Sequence, residues 1–272
     1  MYAFDIQRPS TVAEAKTARG EDDSFLGGGQ TLIPTLKQRL AMPGALVSLT
    51  GIEEMKGVRE EGGQIVIGGG TTHAQAAEAT AKSYPALSYL ASRIGDPAVR
   101  NRGTIGGSIA NDDPSACWPA GALGSGATIV TDAREIAADE FFLGMFTTAL
   151  EDGEIVTAVR FPVPRRAAYE KMIQPASRFP LVAAFVAQFD GEVRVAVTGA
   201  SEDGVFRWAE AERALASDFS GEAVANLSLP ENPMISDLHG TAEYRRHLVR
   251  VMTRRAVVAA AKGETGHSSA ET

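Results

Sequence analysis

Three glycine-rich stretches limit what the first 112 residues can become: "FLGGGQT" (25–31), "VIGGGTTHA" (66–74) and "GTIGGSIAND" (103–112). Glycine loses more backbone entropy on folding than any other residue, so each run weakens the fold unless bare backbone is needed there. All three share one plan: an apolar approach, two or three glycines, then hydroxyl or amide side chains. Backbone N–H groups freed in such a loop can converge on an anion, and Ser or Thr hydroxyls add donors. The missing Cβ atoms also let a ligand lie on the main chain. A lone GGG is more often a tight turn or a strand crossing. Three loops with the same polar sequel point instead to one extended, phosphate-bearing ligand. Neither standard nucleotide scheme fits it. No Gly-Lys-Ser/Thr occurs, which excludes a P-loop, and G-x-G-x-x-G with a distant acid fails at every loop.

Bulk properties narrow the classes further. A chain of 272 residues suits two domains, and 44% hydrophobic with 22% charged residues is the balance of a globular protein. A formal net charge of −8 argues against a nucleic-acid surface. The single cysteine, Cys117, excludes an internal disulfide and any cysteine-ligated zinc or iron–sulfur cluster. No basic-then-apolar N-terminal segment and no run near the ~20 apolar residues of a membrane helix is present. The expectation is a cytoplasmic protein without an integral membrane segment.

Local patterns place the loops between secondary-structure elements. Strands are predicted around 24–29, 45–49, 64–70 and 127–132, all short runs rich in branched residues. A helix is predicted after Ser10 or Thr11 and stops by Gly20, and an Ala-rich helical stretch over 72–94 is divided at Pro85. Prolines near 162–164 mark a boundary at about residue 165. Beyond it, two strand-like runs flank Asp190-Gly191, a strong hairpin signal. A helix over 207–217 and a turn-rich stretch around 228–236 precede a C-terminal amphipathic helix. Leu248, Met252 and Val258 are expected on its apolar face, and its five arginines on a solvated or partner-binding face. The segment "ETGHSSAET" is expected to fray.

Several of these stretches together resemble a known family. "GGGQTLIPTLKQRLAMP" and "TIGGSIANDDPSA" are similar to the two FAD-binding signatures of the medium, flavoprotein subunit of molybdenum hydroxylases, the family of carbon-monoxide dehydrogenase and xanthine dehydrogenase. The likeness extends through "IGGGTTHA", "IGDPAVRNRGTIGG", "DGEIVTAVRFP", "QPASRFPLVAAFVA" and the C-terminal helix. It implies an α+β protein. A two-lobed FAD-binding domain of p-cresol-methylhydroxylase type (1–165, lobes about 1–55 and 56–165) would precede a smaller C-terminal domain of antiparallel sheet plus helices (166–265). A disordered tail is expected over 266–272.

The resemblance also implies site residues. The first signature carries FAD-pyrophosphate contacts to Leu26, Gly27, Gly28, Gly29, Gln30, Thr31, Leu32 and Ile33, and the second to Thr104, Ile105, Gly106, Gly107 and Ser108. Thr72 and His73 fall in an element near the cofactor, although a lone histidine is more often structural. Ile94 stands where relatives place an aromatic against adenine, so only apolar contact is left. Val156 matches an apolar residue near the flavin. Lys171 and Gln174 fall where a polar or basic group approaches the ring, and a cation there would stabilise reduced, anionic flavin. Cys117 replaces a family aspartate that contacts the cofactor, a loss for which Asp112 or Asp113 could compensate. A buried cysteine is more often a small hydrophobe than a reactive thiol.

Functionally, the resemblance implies a FAD-carrying electron-transfer subunit. A large molybdopterin subunit would oxidise the substrate, and a small subunit would carry two 2Fe–2S clusters, in a dimer of heterotrimers. This chain would take electrons from those clusters and pass them to an external acceptor. It would need no metal and no catalytic base of its own, and it would not bind nucleic acid. Two other readings remain open on the residues: a self-sufficient flavin oxidoreductase of the same fold, and an assembly subunit that has lost FAD.

Overall fold

The computed structural model describes residues 1–266. The first lobe is a strand–helix alternation: β1 (Asp5–Gln7), α1 (Val12–Ala18), β2 (Ser24–Leu26), α2 (Leu32–Lys37) and β3 (Ala45–Ser48). Its three strands form a parallel sheet in the order β1-β3-β2. Thr11 caps α1 by accepting from the Glu14 N–H, as the sequence indicates. The predicted strand at 24–29 stops at Leu26, which leaves Gly27–Thr31 as a free loop between β2 and α2.

The second lobe starts with β4 (Val58–Glu61) and β5 (Gln64–Gly68). The helices α3 (His73–Ala79), α4 (Pro85–Ser92), α5 (Pro97–Arg100), α6 (Ile105–Asn111) and α7 (Cys117–Ser125) follow. It ends with β6 (Thr128–Thr131), β7 (Glu135–Ala137), α8 (Ala138–Phe141), β8 (Phe142–Gly144), β9 (Thr147–Thr148) and β10 (Val156–Pro162). Five strands make an antiparallel sheet, β4-β5-β10-β6-β7, and β8 and β9 form a separate hairpin. Pro85 does divide the Ala-rich stretch: it opens α4 at a position where its missing N–H costs nothing.

The C-terminal part is a four-stranded antiparallel sheet of β11 (Arg166–Ile173), β12 (Pro180–Gln188), β13 (Val193–Ser201) and β14 (Gly204–Arg207), with α9 (Ala209–Ser217) and α10 (Ala242–Ala261). The Asp190-Gly191 hairpin joins β12 to β13, with Gly191 at φ +83°. Residues of β12 are buried from Pro180 to Ala187 because both faces are covered. Ala183, Phe185 and Ala187 belong to the core that includes α7. Val182, Ala184 and Val186 belong to the core beneath α10. The two-residue period of a strand therefore divides its side chains between two cores. All nine residues of α7 are buried. Its glycines allow this: a Cβ on Gly124 would lie 2.8 Å from Phe185, and one on Gly121 2.9 Å from Leu90. Helix α7 thus joins the second lobe to the C-terminal sheet.

The C-terminal helix differs from the sequence expectation in two ways. Leu248, Met252 and Val257 are buried, whereas Val258 is only partly so and packs beside Gly221. The arginines are mostly internal ties. Arg245 is buried, donates to the carbonyls of Leu181 and Gly199, and pairs with Asp237. Arg246 donates to the Pro230 and Asn232 carbonyls, and Arg250 to that of Leu227. These bonds hold the turn-rich 227–237 segment, whose own backbone lacks a regular ladder. At the chain end, Thr265 is held by the Tyr169 N–H at 2.9 Å rather than frayed. Of the expected tail, only Gly266 lies among the described residues.

Replacing Arg245 by methionine leaves two buried carbonyls and Asp237 without their donor, and is expected to lower stability by about 2–3 kcal/mol in urea unfolding.

Candidate cofactor site

The three glycine loops meet backbone to backbone. A Cβ on Gly28 would lie 1.9 Å from the Arg102 carbonyl oxygen, and one on Gly106 would lie 2.7 Å from that of Gly69. A Cβ on Gly69 would fall 2.1 Å from the Val156 oxygen. Hydrogen bonds fix these approaches: Gly106 N–H to Gly69 O (2.9 Å), Ile105 N–H to Thr71 O (3.1 Å) and Gly69 N–H to Thr157 O (2.7 Å). Thr72 and Thr104 form an isolated antiparallel bridge. Several glycines expected to bare the backbone to a ligand therefore bare it to another loop. Gly28 does not need a positive φ; Gly29 does, at +72°.

Beside this junction lies a cavity of about 490 Å³, walled by the first loop, α6, the α4–α5 turn, the start of β10 and the β11–β12 turn. Most of the residues implied by the sequence resemblance line it: Leu26 to Leu32, His73, Ile94, Thr104, Gly106, Gly107, Ser108, Cys117, Val156 and Lys171. Three do not. Ile33 packs its side chain over Gly29, Ile105 is fully buried in the second-lobe core, and Thr72 is engaged in a capping box with Gln75. Gln174 is likewise not in the wall. Its side-chain oxygen accepts from the Ser177 N–H and hydroxyl, and so shapes the β11–β12 turn. That turn places Ser177, Arg178 and Phe179 at the cavity, contacts the sequence did not single out. Arg178 at φ +62° marks the tightness of the turn but leaves no sequence signal, because non-glycine residues rarely adopt it.

The donor set suits an anion. Among the described residues, no backbone N–H from Gly27 to Thr31 donates to a backbone carbonyl, and all five residues line the cavity. Gly107 stands in the helical first turn behind Thr104, whose hydroxyl accepts its N–H at 3.2 Å. A Cβ there would meet only that hydroxyl, at 3.0 Å. Lys171 brings a cation into the wall; its Nζ donates to the Arg93 carbonyl at 2.9 Å and lies 3.5 Å from Cys117 Sγ. It is thus anchored rather than solvated.

His73 has a structural assignment. Trp118 donates its indole N–H to His73 Nδ1 at 3.0 Å, which leaves the proton of the neutral ring on Nε2, beside Gly103. Burial, reinforced by the Arg100 charge, lowers its pKa to about 4, so the ring is neutral at physiological pH. The acids near Cys117 divide the roles proposed for them. Asp113 lines the cavity and accepts from the Ser115 N–H. Asp112 caps α6 in the left-handed region (φ +42°), where Asp is tolerated, and both its carboxylate oxygens are buried without a partner. Burial, then the neighbouring Asp113, raises its pKa to about 7. Tyr169 is fully buried beside Cys117, and burial chiefly raises its pKa. Glu154, at the far wall, is held at about 2 by hydrogen bonds from Arg134 and Thr131.

A parallel first lobe, an antiparallel second lobe and glycine loops that meet over an anion-suited cavity form a site suited to an extended, phosphate-bearing cofactor. Residues 2–164 match the family model "FAD binding domain in molybdopterin dehydrogenase" and residues 167–260 match "CO dehydrogenase flavoprotein C-terminal domain". The carbon monoxide dehydrogenase medium chain of Afipia carboxidovorans is 38% identical, with 94% of this chain and 96% of that protein covered. The nicotine 6-hydroxylase medium subunit of Paenarthrobacter nicotinovorans is 34% identical over 95% of this chain and 97% of that protein. A solved structure of reconstituted CO dehydrogenase from Oligotropha carboxidovorans superposes with TM-score 0.87 at 33% identity, covering 96% of this chain and 99% of that chain. The chain belongs to the family of FAD-binding medium subunits of molybdopterin dehydrogenases, and its cofactor is FAD.

Two predictions separate the glycine roles and test the orphan acid. Gly28→Ala forces its Cβ into the Arg102 backbone and is expected to lose about 1–3 kcal/mol of stability along with bound FAD. Gly107→Ala sits within a helix and should keep or raise the melting temperature, yet lower the FAD absorbance per chain. Equal melting losses in both would contradict the assignment. For Asp112, a folded pKa raised above its ordinary value means stability is fully present at low pH and declines as pH rises through about 7. Asp112→Asn keeps the left-handed cap without the charge, so it should match wild type below about pH 4 and exceed it at pH 8, by about 1–3 kcal/mol.

Proposed function

We infer that this chain is the FAD-carrying electron-transfer subunit of a heteromeric molybdopterin hydroxylase or dehydrogenase. It receives electrons from 2Fe–2S clusters in a partner subunit and delivers them to an external acceptor, while a large molybdopterin subunit oxidises the substrate. The single observation behind this reading is the junction of three glycine loops beside a cavity lined by five residues whose N–H groups have no backbone acceptor. The cysteine count fits the division of labour, since one thiol cannot hold a cluster. The FAD-binding part is assigned to residues 1–165, the C-terminal part to 166–265, and the assembly to the cytoplasm as a dimer of heterotrimers. Among the described residues no helix is long and apolar enough to cross a membrane.

The residues present fit the group. Gly27–Thr31 would bind the pyrophosphate through main-chain N–H groups, with Ser108 and Thr104 adding hydroxyls. Bound FAD supplies reversible one- and two-electron chemistry. Around it, Lys171 holds a positive charge at the cavity wall, fixed by the Arg93 carbonyl, where it would favour a reduced, anionic ring. Ile94, Ile155 and Val156 give an apolar surface that excludes water. No side-chain base is required for electron transfer, and neutral His73 is engaged with Trp118.

The purified chain is expected to be yellow with about one FAD per chain, and to stay oxidised with organic substrate until its partner subunits are added. Reduction of the flavin by substrate without partners would favour a self-sufficient oxidoreductase. A colourless chain that remains apo in excess FAD would favour an assembly role. Lys171→Met should leave FAD bound but lower the flavin midpoint potential, read by spectroelectrochemical titration.

A further inference from the structure

Exposed apolar side chains concentrate at the tip of the β8–β9 hairpin. Leu143 is 62% exposed, Met145 39% and Phe146 57%, all within four consecutive residues. Phe146 also takes φ +54°, an uncommon conformation for a bulky side chain. The tip is nevertheless held on two sides. The Phe146 N–H donates to the Asp112 carbonyl at 3.0 Å, which ties it to the end of α6. On the other side β8 packs on β14, where a Cβ on Gly204 would lie 3.5 Å from Gly144. A rigid element therefore presents an apolar tip, which is how a preformed docking surface keeps its ordering entropy small.

Three exposed acids flank the tip. Glu140 precedes the hairpin, and Glu202 and Asp203 form the adjoining β13–β14 turn; all three are exposed. None of these carboxylates has an ion pair among the described residues. The nearby cations are already engaged: Arg194 pairs with Asp139 and Glu192, and Arg207 with Asp139, Glu192 and Glu212. Two copies of this surface meeting about a two-fold axis would bring like charges together.

We propose that the β8–β9 hairpin is a docking element for a different chain of the complex, whose surface offers an apolar groove rimmed by lysine or arginine. This rests on the reading of the chain as one subunit of a heteromer. The hairpin joins the cavity through α6, a helix of seven residues and hence about 10 Å long. Docking there would set the partner close to the wall that carries Thr104 and Gly107.

The test uses the complex isolated through an affinity tag on this chain. With p-benzoylphenylalanine in place of Met145, illumination should link the hairpin to a lysine- or arginine-bearing peptide of another chain. Glu202→Lys with Asp203→Lys should weaken the complex roughly tenfold near physiological salt, with Glu202→Gln and Asp203→Asn intermediate, while FAD content and melting of the isolated chain stay unchanged. A crosslink to a second copy of this chain, no crosslink, or unaltered affinity on charge reversal overturns the docking assignment alone. Tagged chain drawn from its own cells FAD-loaded but with no partner ever bound overturns both the assignment and the subunit reading beneath it.

Discussion

The fold around the cofactor site depends on the contact of bare backbone with bare backbone. Gly28 on Arg102, Gly106 on Gly69 and Gly69 on Val156 bring three loops from two lobes to distances that no Cβ could share. Main-chain hydrogen bonds satisfy the groups that meet where the second and third loops and β10 come together. Beside that junction, N–H groups of Gly27–Thr31 have no backbone acceptor and line the cavity, with the first turn of α6 at Gly107 facing them. The cavity wall is thus a by-product of loop packing, and that packing keeps the donors fixed before any ligand arrives.

Around the junction, the titratable groups are set by burial more than by ion pairs. His73 is kept neutral and serves as an acceptor for Trp118, which makes it part of the scaffold beneath the third loop. Asp112 is the opposite case, a buried acid whose oxygens find no donor, so its proton occupancy changes near neutral pH. Their pH dependences oppose each other. His73, depressed on folding, favours the native state as pH rises from about 4, whereas Asp112 disfavours it on the way to about 7. Charge that faces the cavity is kept simple by comparison: Lys171 is pinned by a carbonyl, and Glu154 is neutralised by Arg134.

Much of the architecture was legible because it follows from local rules. The Thr11 cap, the break at Pro85 and the Asp190-Gly191 hairpin lie where capping, proline and turn chemistry put them. Errors arose where the tertiary environment reassigned a side chain. Five arginines on one helix read as a solvated face, yet Arg246 and Arg250 donate to carbonyls of the irregular segment, and Arg245 to carbonyls of β12 and β13. Gln174, expected near the flavin ring, lies outside the cavity wall and pins the turn that brings Ser177, Arg178 and Phe179 to it. Nothing in the local pattern marks that exchange, since it depends on how β11 and β12 are staggered across a bulge.

By itself, the sequence determined that three stretches must do without Cβ atoms, that one cysteine excludes a cysteine-ligated cluster within this chain, and which family's signatures the stretches match. Only the tertiary structure decided what occupies the space each glycine leaves: backbone at Gly28, Gly69 and Gly106, and the Thr104 hydroxyl at the cavity edge beside Gly107. The physical reason is that a missing side chain records a close approach without naming the neighbour. That neighbour is chosen by how the parallel and antiparallel lobes pack, through contacts between residues far apart along the chain.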